Sequence, residues 1–522
     1  MAATAGGKHK MGFVGATSYM IGNIIGSGIF ITPTSILMRT HSVGLSLIVW
    51  SLCAVIAILG SLCYIELGTS IRDPGCDFAY ICYVKWYPIA FAFMWVSVLL
   101  TYPAVLAIQA EAFGEYLVEG LQPIICFDGP NVIYAKKLLG FALLWLLTWL
   151  NFFSLKTFAS RFQIIATVAK LLSTGLVIVT GFYLLIFRGW TTNLENPMSG
   201  SIWKAGDLVL ALYGGLWAYS GWDVLNYGSD EIEHPKRTMP LAMLAGIGIV
   251  AVVYVAINVA YFVVLDVDAM SDSHAVAATF SQKVLGNFSF AIPFLIGVLL
   301  CGSLNSSIFV GSRYMFAAAR QGHLPSCFSC VNQETDSPRA AIFAQTLLAI
   351  AVSFIGDLDN LIGYVIFAIW FQRVFTMLGL LWIRYKKIPV HPDAIRMPTA
   401  LIVFFMLLSA SLVLIPVVQE PEVTAIGLVI VASGMIMYFI FVWPKNTPVF
   451  LQRINEATTN VTSIVFSALP DLKKFDSLDQ NDISPAVNCS PNAKSDDFTE
   501  ITKRISRFDT DSNGTEQPRQ RF

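Results

Sequence analysis

Apolar residues in this chain are gathered into runs of about twenty, divided by short polar links. Runs of that length are what an α-helix needs to cross roughly 30 Å of hydrocarbon. The pattern predicts twelve helices, at 12–37, 43–68, 83–113, 137–155, 162–187, 206–229, 241–266, 289–317, 339–357, 360–384, 397–418 and 425–444. Beyond residue 446 the spanning runs stop. From Asp471 onward the chain is rich in Asp, Ser, Asn and Lys and poor in aromatics, so it buries too little apolar surface to fold alone. The expected organisation is an N-terminal tail over 1–11, a transmembrane body over 12–445 and a flexible tail over 446–522.

Two of these helices carry a stretch unsuited to regular winding. The first is Gly26-Ser27-Gly28-Ile29-Phe30, in helix one. The second is Tyr219-Ser220-Gly221-Trp222-Asp223, in helix six. Lipid cannot hydrogen-bond bare peptide groups, so irregular backbone at that depth must be buried in protein or line a cavity. One interruption opening each half of a chain points to a midplane substrate site in an inverted-repeat transporter. Glycine lets backbone approach a ligand. Amides freed at Gly26, Ser27 and Gly28 lie at the positive end of a new half-helix, which suits a carboxylate. Ser27 adds a hydroxyl donor, and carbonyls freed around Ile24 suit an ammonium group. The second break adds carbonyls from Trp217 to Ser220, and the Trp217 ring could roof the site. Packing readings stand beside these: Gly22-x-x-x-Gly26 fits small-xxx-small helix contact, and Trp217 an ordinary interface aromatic.

Five ionisable residues sharpen the picture. An acid within an apolar span faces a cavity or a partner. Asp223 therefore either receives a cationic side chain or an ion, or pairs with a buried donor. Lys170, deep in the fifth span, either takes the place of the cation in sodium-driven transporters or joins a structural ion pair. Glu66, near the inner end of helix two, reads as structural. Glu111 and Glu115 are expected to face water in an outer vestibule.

Composition agrees with a multi-pass membrane protein: 56% hydrophobic and only 13% charged residues, against roughly 25% charged in soluble domains. Loops after even-numbered helices hold thirteen basic residues, among them Arg72, Lys156, Arg237, Arg313 and Lys386, whereas the opposite side has Arg39, Lys136, Lys137, Arg188, Lys204 and Lys283, and its later loops hold the acids Asp357, Asp359, Glu420 and Glu422. That bias places both termini in the cytoplasm. A net charge of −1 carries no nucleic-acid footprint. Lys8, His9 and Lys10 precede an apolar run too long for a cleaved leader. No clustered His, Cys and acidic residues suggest a metal, a cofactor or an enzyme. Of nine cysteines, Cys53, Cys63 and Cys301 lie in apolar runs and read as core fillers. Cys126 instead lies in an outward loop beside Asp128, Gly129 and Pro130. A lone thiol in an oxidising compartment suggests an intermolecular disulfide, with an unpaired thiol as the other reading.

Several ordered motifs carry a family resemblance. They are Ile24-Ile25-Gly26-Ser27-Gly28-Ile29-Phe30-Ile31-Thr32-Pro33, Cys63-Tyr64-Ile65-Glu66-Leu67-Gly68, Leu216-Trp217-Ala218-Tyr219-Ser220-Gly221-Trp222-Asp223, Leu225-Asn226-Tyr227, Ser312-Arg313 and Gly322-His323-Leu324-Pro325. Over about residues 12–455 the chain resembles the L-type amino-acid transporter light chains of heteromeric transporters, in the amino acid–polyamine–organocation superfamily. The resemblance implies an all-α LeuT-like core in which helices one to five (about 12–187) and six to ten (about 206–384) are inverted repeats, plus two peripheral helices (about 397–444). It implies one-for-one amino-acid exchange at the plasma membrane, without sodium as the general driver. By resemblance, Ser27 and Gly28 match carboxylate binders, and Ile24, Trp217 and Ser220 match positions whose carbonyls hold the amino group. Trp217 stands where the large-neutral subgroup has a gating phenylalanine. Cys126 matches the cysteine bonded to a single-span heavy-chain glycoprotein, and Lys170 the fifth-helix lysine at a former sodium position. Two departures bear on substrate choice. Asp223 replaces an asparagine of the large-neutral exchangers, and Tyr102 replaces an arginine. Tyr-Ser-Gly-Trp-Asp looks more like the subgroup that exchanges cationic for neutral amino acids. The expected function is an exchanger of neutral, and potentially cationic, L-amino acids. The alternative is a cationic amino-acid or polyamine transporter working alone, favoured by Asp223 and opposed by Cys126.

Overall fold

The computed structural model describes residues 12–71, 75–121, 132–153, 156–273, 275–332, 334–335, 337–443 and 448–471. The chain opens with α1 (Phe13–Ile24), α2 (Gly28–Ile31) and α3 (Pro33–Thr40). Thr32 joins the last two, its N–H donating to the Gly28 carbonyl, and Pro33 starts α3 at a position that needs no N–H donor. α4 (Val43–Ser70) starts at Ser42, whose Oγ accepts from the Leu45 N–H at 3.3 Å. A short α5 (Asp77–Tyr83) leads into α6 (Tyr87–Val96) and α7 (Tyr102–Leu121).

Between α6 and α7, Ser97–Thr101 widen into a π turn. Pro103, just beyond, cannot donate and crowds the carbonyl of the preceding turn. The Val98 carbonyl there accepts from Gln345 Nε2 at 3.1 Å. Next come α8 (Val132–Phe152), α9 (Lys156–Phe187), α10 (Ala205–Ala218), α11 (Pro235–Val264), α12 (Val267–Ser271), α13 (Val276–Leu285) and α14 (Ala291–Arg320). α15 (Arg339–Val352), α16 (Leu358–Lys386), α17 (Thr399–Gln419), α18 (Pro421–Met437) and α19 (Val449–Phe466) complete the order.

Ten helical segments among the described residues are long and apolar enough to cross a membrane. The expected sixth and ninth helices appear as the shorter apolar helices α10 and α15, of 14 residues each. Fourteen residues reach only about 21 Å. For α10 the reason is the break that ends it at Ala218. α11 lies at the centre, against α1, α4 and α9, while α14 packs on α7 and α9.

The structure differs from the sequence reading in several places. The first helix stops at Ile24 and resumes at Gly28, so Ile29 and Phe30 are helical and the irregular stretch is Ile25–Ser27. Nothing lies within 4 Å of where a Gly22 Cβ would be, so that glycine marks no close helix contact. Glu111 and Glu115 do not stand free in water: they pair with Lys137 at 3.4 Å and with Lys136 of α8. Within the stretch read as a tail from 446, α19 is a helix, and Leu469–Pro470 pairs antiparallel with Cys330–Val331. Asn455 of α19 accepts from the Ser326 N–H at 2.9 Å, and Arg339 donates to the Phe466 carbonyl at 3.1 Å. These contacts join α19 to the link between α14 and α15, a long-range partnership that local composition does not record.

Glu66 is 3% exposed and is held by Arg384, whose Nε donates to Oε1 at 2.9 Å, and by the Met397 N–H at 2.8 Å. A half-satisfied buried pair costs about 3–5 kcal/mol. Glu66→Gln is therefore expected to lower the detergent-solubilised melting temperature clearly; an unchanged melting curve would remove this pair as a structural tie.

Candidate substrate site at two helix breaks

The second break falls where the sequence places it. α10 ends at Ala218, Tyr219–Asp223 turn, and a 3-10 helix runs over Val224–Glu231. Gly221 has φ +91°, a conformation that L side chains rarely adopt. Its carbonyl accepts from Asn23 Nδ2 at 3.1 Å, so the last turn of α1 is tied to the second break.

The two breaks meet at their backbones. A Cβ on Gly28 would lie 2.6 Å from Ala218 Cα, which is why only a glycine seats α2 against the end of α10. Tyr254, on α11, joins them from the side. Its hydroxyl lies 2.9 Å from the Ile24 carbonyl and 2.9 Å from the Ala218 carbonyl. Its ring packs on Trp50 and Tyr219, with centroids 5.5 and 4.9 Å away.

The predicted site residues are distributed around this junction. Ile24 and Gly28 flank the first break; Gly26 has open space on its Cα side, with nothing nearer than 3.8 Å. Ser27 is buried, and its carbonyl accepts from the Phe30 N–H at 3.0 Å. Trp217 is buried in the last turn of α10, and its carbonyl accepts from the Ser220 N–H at 3.0 Å. The Ser220 hydroxyl donates to Leu216. The Ile24 and Trp217 carbonyls thus each hold one donor in this conformation. Lys170 Nζ donates to the Gly22 carbonyl at 2.9 Å. This places a cation beside the C-terminal end of α1, where the helix dipole is negative. Among the described residues it has no carboxylate partner. Cys126 lies outside the described residues.

Asp223 meets a buried donor. Its Oδ2 lies 3.4 Å from a terminal nitrogen of Arg373, on α16. The Arg373 guanidinium lies over the Trp222 and Trp370 rings, 4.6 and 4.7 Å from their centroids. A second carboxylate, Asp77 of α5, stands close by. It accepts from the Tyr64 hydroxyl and, at 2.8 Å, from Thr376. Cys76 Sγ and one oxygen each of Asp77 and Asp223 lie within 4.8 Å of one another. Asn226 bridges this group to the break, accepting from Tyr80 at 3.0 Å and donating to the Asp223 carbonyl at 3.3 Å.

Asn23, Asp77, Tyr254 and Arg373 were absent from the sequence reading. Arg373 carried a usable signal, being a charge inside an apolar run. Tyr254 carried none, since a tyrosine among Val, Ala and Ile looks like any packed aromatic.

Membrane-spanning helices, with the break after α1 meeting the break after α10, fit a membrane transporter. Comparison with known proteins gives the family. The amino acid permease model matches residues 11–445, and the chain belongs to that family. It is 50% identical over 469 residues to amino acid transporter protein 6 of Caenorhabditis elegans, covering 89% of each chain. It is 35% identical to the human cystine/glutamate transporter, covering 90% of this chain and 92% of that one. It is 33% identical to the human b(0,+)-type amino acid transporter 1, covering 89% and 93%.

Proposed function

We propose that this chain is the light chain of a heteromeric exchanger that moves neutral L-amino acids by alternating access. The observation that carries the reading is the meeting of the two breaks, Gly28 against Ala218, with Tyr254 spanning both. Amides at Gly26–Gly28 would take the substrate carboxylate, and carbonyls at Ile24, Trp217 and Ser220 its ammonium. Trp217 would close the outer path, and Lys170 would replace a coupled cation. The relatives named above fit this reading. The architecture proposed with it is twelve spans, arranged as a LeuT-like 5+5 repeat with two peripheral helices, and both termini cytoplasmic at the plasma membrane. A transporter of cations working alone is less well supported, because Asp223 is paired with Arg373.

Counterflow in proteoliposomes tests the reading. Internal unlabelled leucine is expected to accelerate entry of labelled leucine; the absence of trans-stimulation for every amino acid tried would exclude exchange. The partner is proposed to be a single-span heavy-chain glycoprotein bonded through Cys126. Cys126→Ser is expected to abolish a reducible high-mass band on non-reducing gels, and persistence of that band would refute the bridge.

A further inference from the structure

We infer that Arg373 is a resident counter-cation that excludes substrates with positively charged side chains from this site. The inference rests on the transport reading above and assigns its substrate class: amino acids with uncharged side chains.

Asp77 and Asp223 bring two carboxylates into one buried group, with their oxygens within 4.8 Å of each other. Arg373 is the guanidinium facing them, 4% exposed and 3.4 Å from Asp223. Two acids at that spacing each raise the cost of ionising the other, and a cation beside them offsets that cost. Without Arg373 that role would fall to whatever cation entered, and the side chain of lysine or arginine would fill it well. With Arg373 present, the place beside Asp223 is already filled by a positive group.

The guanidinium is also held there. Trp222 and Trp370 both lie within cation–π reach, 4.6 and 4.7 Å from ring centroid to guanidinium, which favours the guanidinium where it stands. Trp222 belongs to the second break, so its contact is part of the same turn that carries Asp223. Among the described residues Arg373 Nε has no acceptor. A residue serving only to stabilise a fold would gain from satisfying that N–H. Asp223 itself lies one turn beyond the Trp217–Ser220 carbonyls proposed for the ammonium. A substrate seated there would direct its side chain past a paired acid, not a free one. A cationic side chain would then meet like charge, which is how sites are built to reject a competitor.

The test uses the full-length chain in its membrane, together with its heavy chain, and reads labelled leucine uptake against unlabelled lysine, normalised to surface abundance. In the wild type, lysine is expected to compete poorly. Arg373→Met should lower the lysine concentration needed for half-inhibition by about tenfold or more. Arg373→Lys should keep the exclusion. Asp223→Asn combined with Arg373→Met should lose the gained lysine sensitivity, because the acid that received the cation is gone. Leucine uptake by Arg373→Met with lysine still excluded would overturn the inference. So would a wild type that lysine inhibits as strongly as leucine does, and that measurement stands even if the variant fails to reach the surface. A wild type with no trans-stimulated amino-acid flux would instead overturn the transport reading, and this inference with it.

Discussion

Gly28→Val is expected to reduce amino-acid uptake to background. The added Cβ would lie 2.6 Å from Ala218 Cα and 3.2 Å from its amide nitrogen. Those are backbone atoms, so no side chain can rotate away to make room. The two breaks must move apart instead, and with them every amide and carbonyl proposed to hold the substrate. Overpacking of this kind costs about 1–3 kcal/mol. That is enough to displace a binding geometry, yet within what a large membrane domain absorbs without unfolding. The variant should therefore reach the surface and fail to transport. Gly28→Ala introduces the same clash with less bulk and should fall between. Gly248→Ala, on α11 with nothing within 4 Å, controls for glycine loss as such and should transport normally. Uptake per molecule, with surface biotinylation as the denominator, separates these cases. Normal transport by Gly28→Val would mean that the contact between the breaks is not part of the site.

The sequence reveals the breaks because bilayer physics leaves few reasons for Gly-Ser-Gly or Ser-Gly-Trp-Asp within a spanning run. It also isolates Lys170 and Asp223, since charge is conspicuous in lipid-facing composition. What it leaves open for Asp223, a ligand or a buried donor, is decided by Arg373, 150 positions away. Tyr254 and Asn23 stay hidden for a related reason: their role comes from a neighbour in space, and a single chain without pairing information does not show which carbonyl a hydroxyl will meet. The sequence does not mark the break's end before Gly28, because glycine can begin a helix as readily as interrupt one. α19 escaped because its helix packs on the link before α15, and helices of that kind take their stability from tertiary contact, not from propensity. Cys126 remains a proposal that rests on sequence.

Tyr254→Phe is expected to slow exchange about tenfold while lowering the substrate concentration for half-maximal uptake, a combination that marks a lost competitor rather than a lost ligand. In this conformation the hydroxyl's single proton is shared between the Ile24 and Ala218 carbonyls, both 2.9 Å away. Ile24 is one of the acceptors proposed for the substrate ammonium. The hydroxyl therefore stands in for that group when the two breaks lie together. Removing it takes away the one proton the two carbonyls share, at about 1–3 kcal/mol for an unsatisfied buried group. An arriving ammonium would regain that energy, so the substrate binds more tightly. Its departure then has no hydroxyl to replace it, and release slows. The ring of phenylalanine keeps the contacts with Trp50 and Tyr219, so the aromatic core around the junction is not disturbed. Trans-stimulated uptake measured over a range of leucine concentrations gives both parameters from one experiment. A raised half-saturation concentration would count against the exchange of hydroxyl for ammonium. It would point to a tyrosine that merely braces α1 against α10.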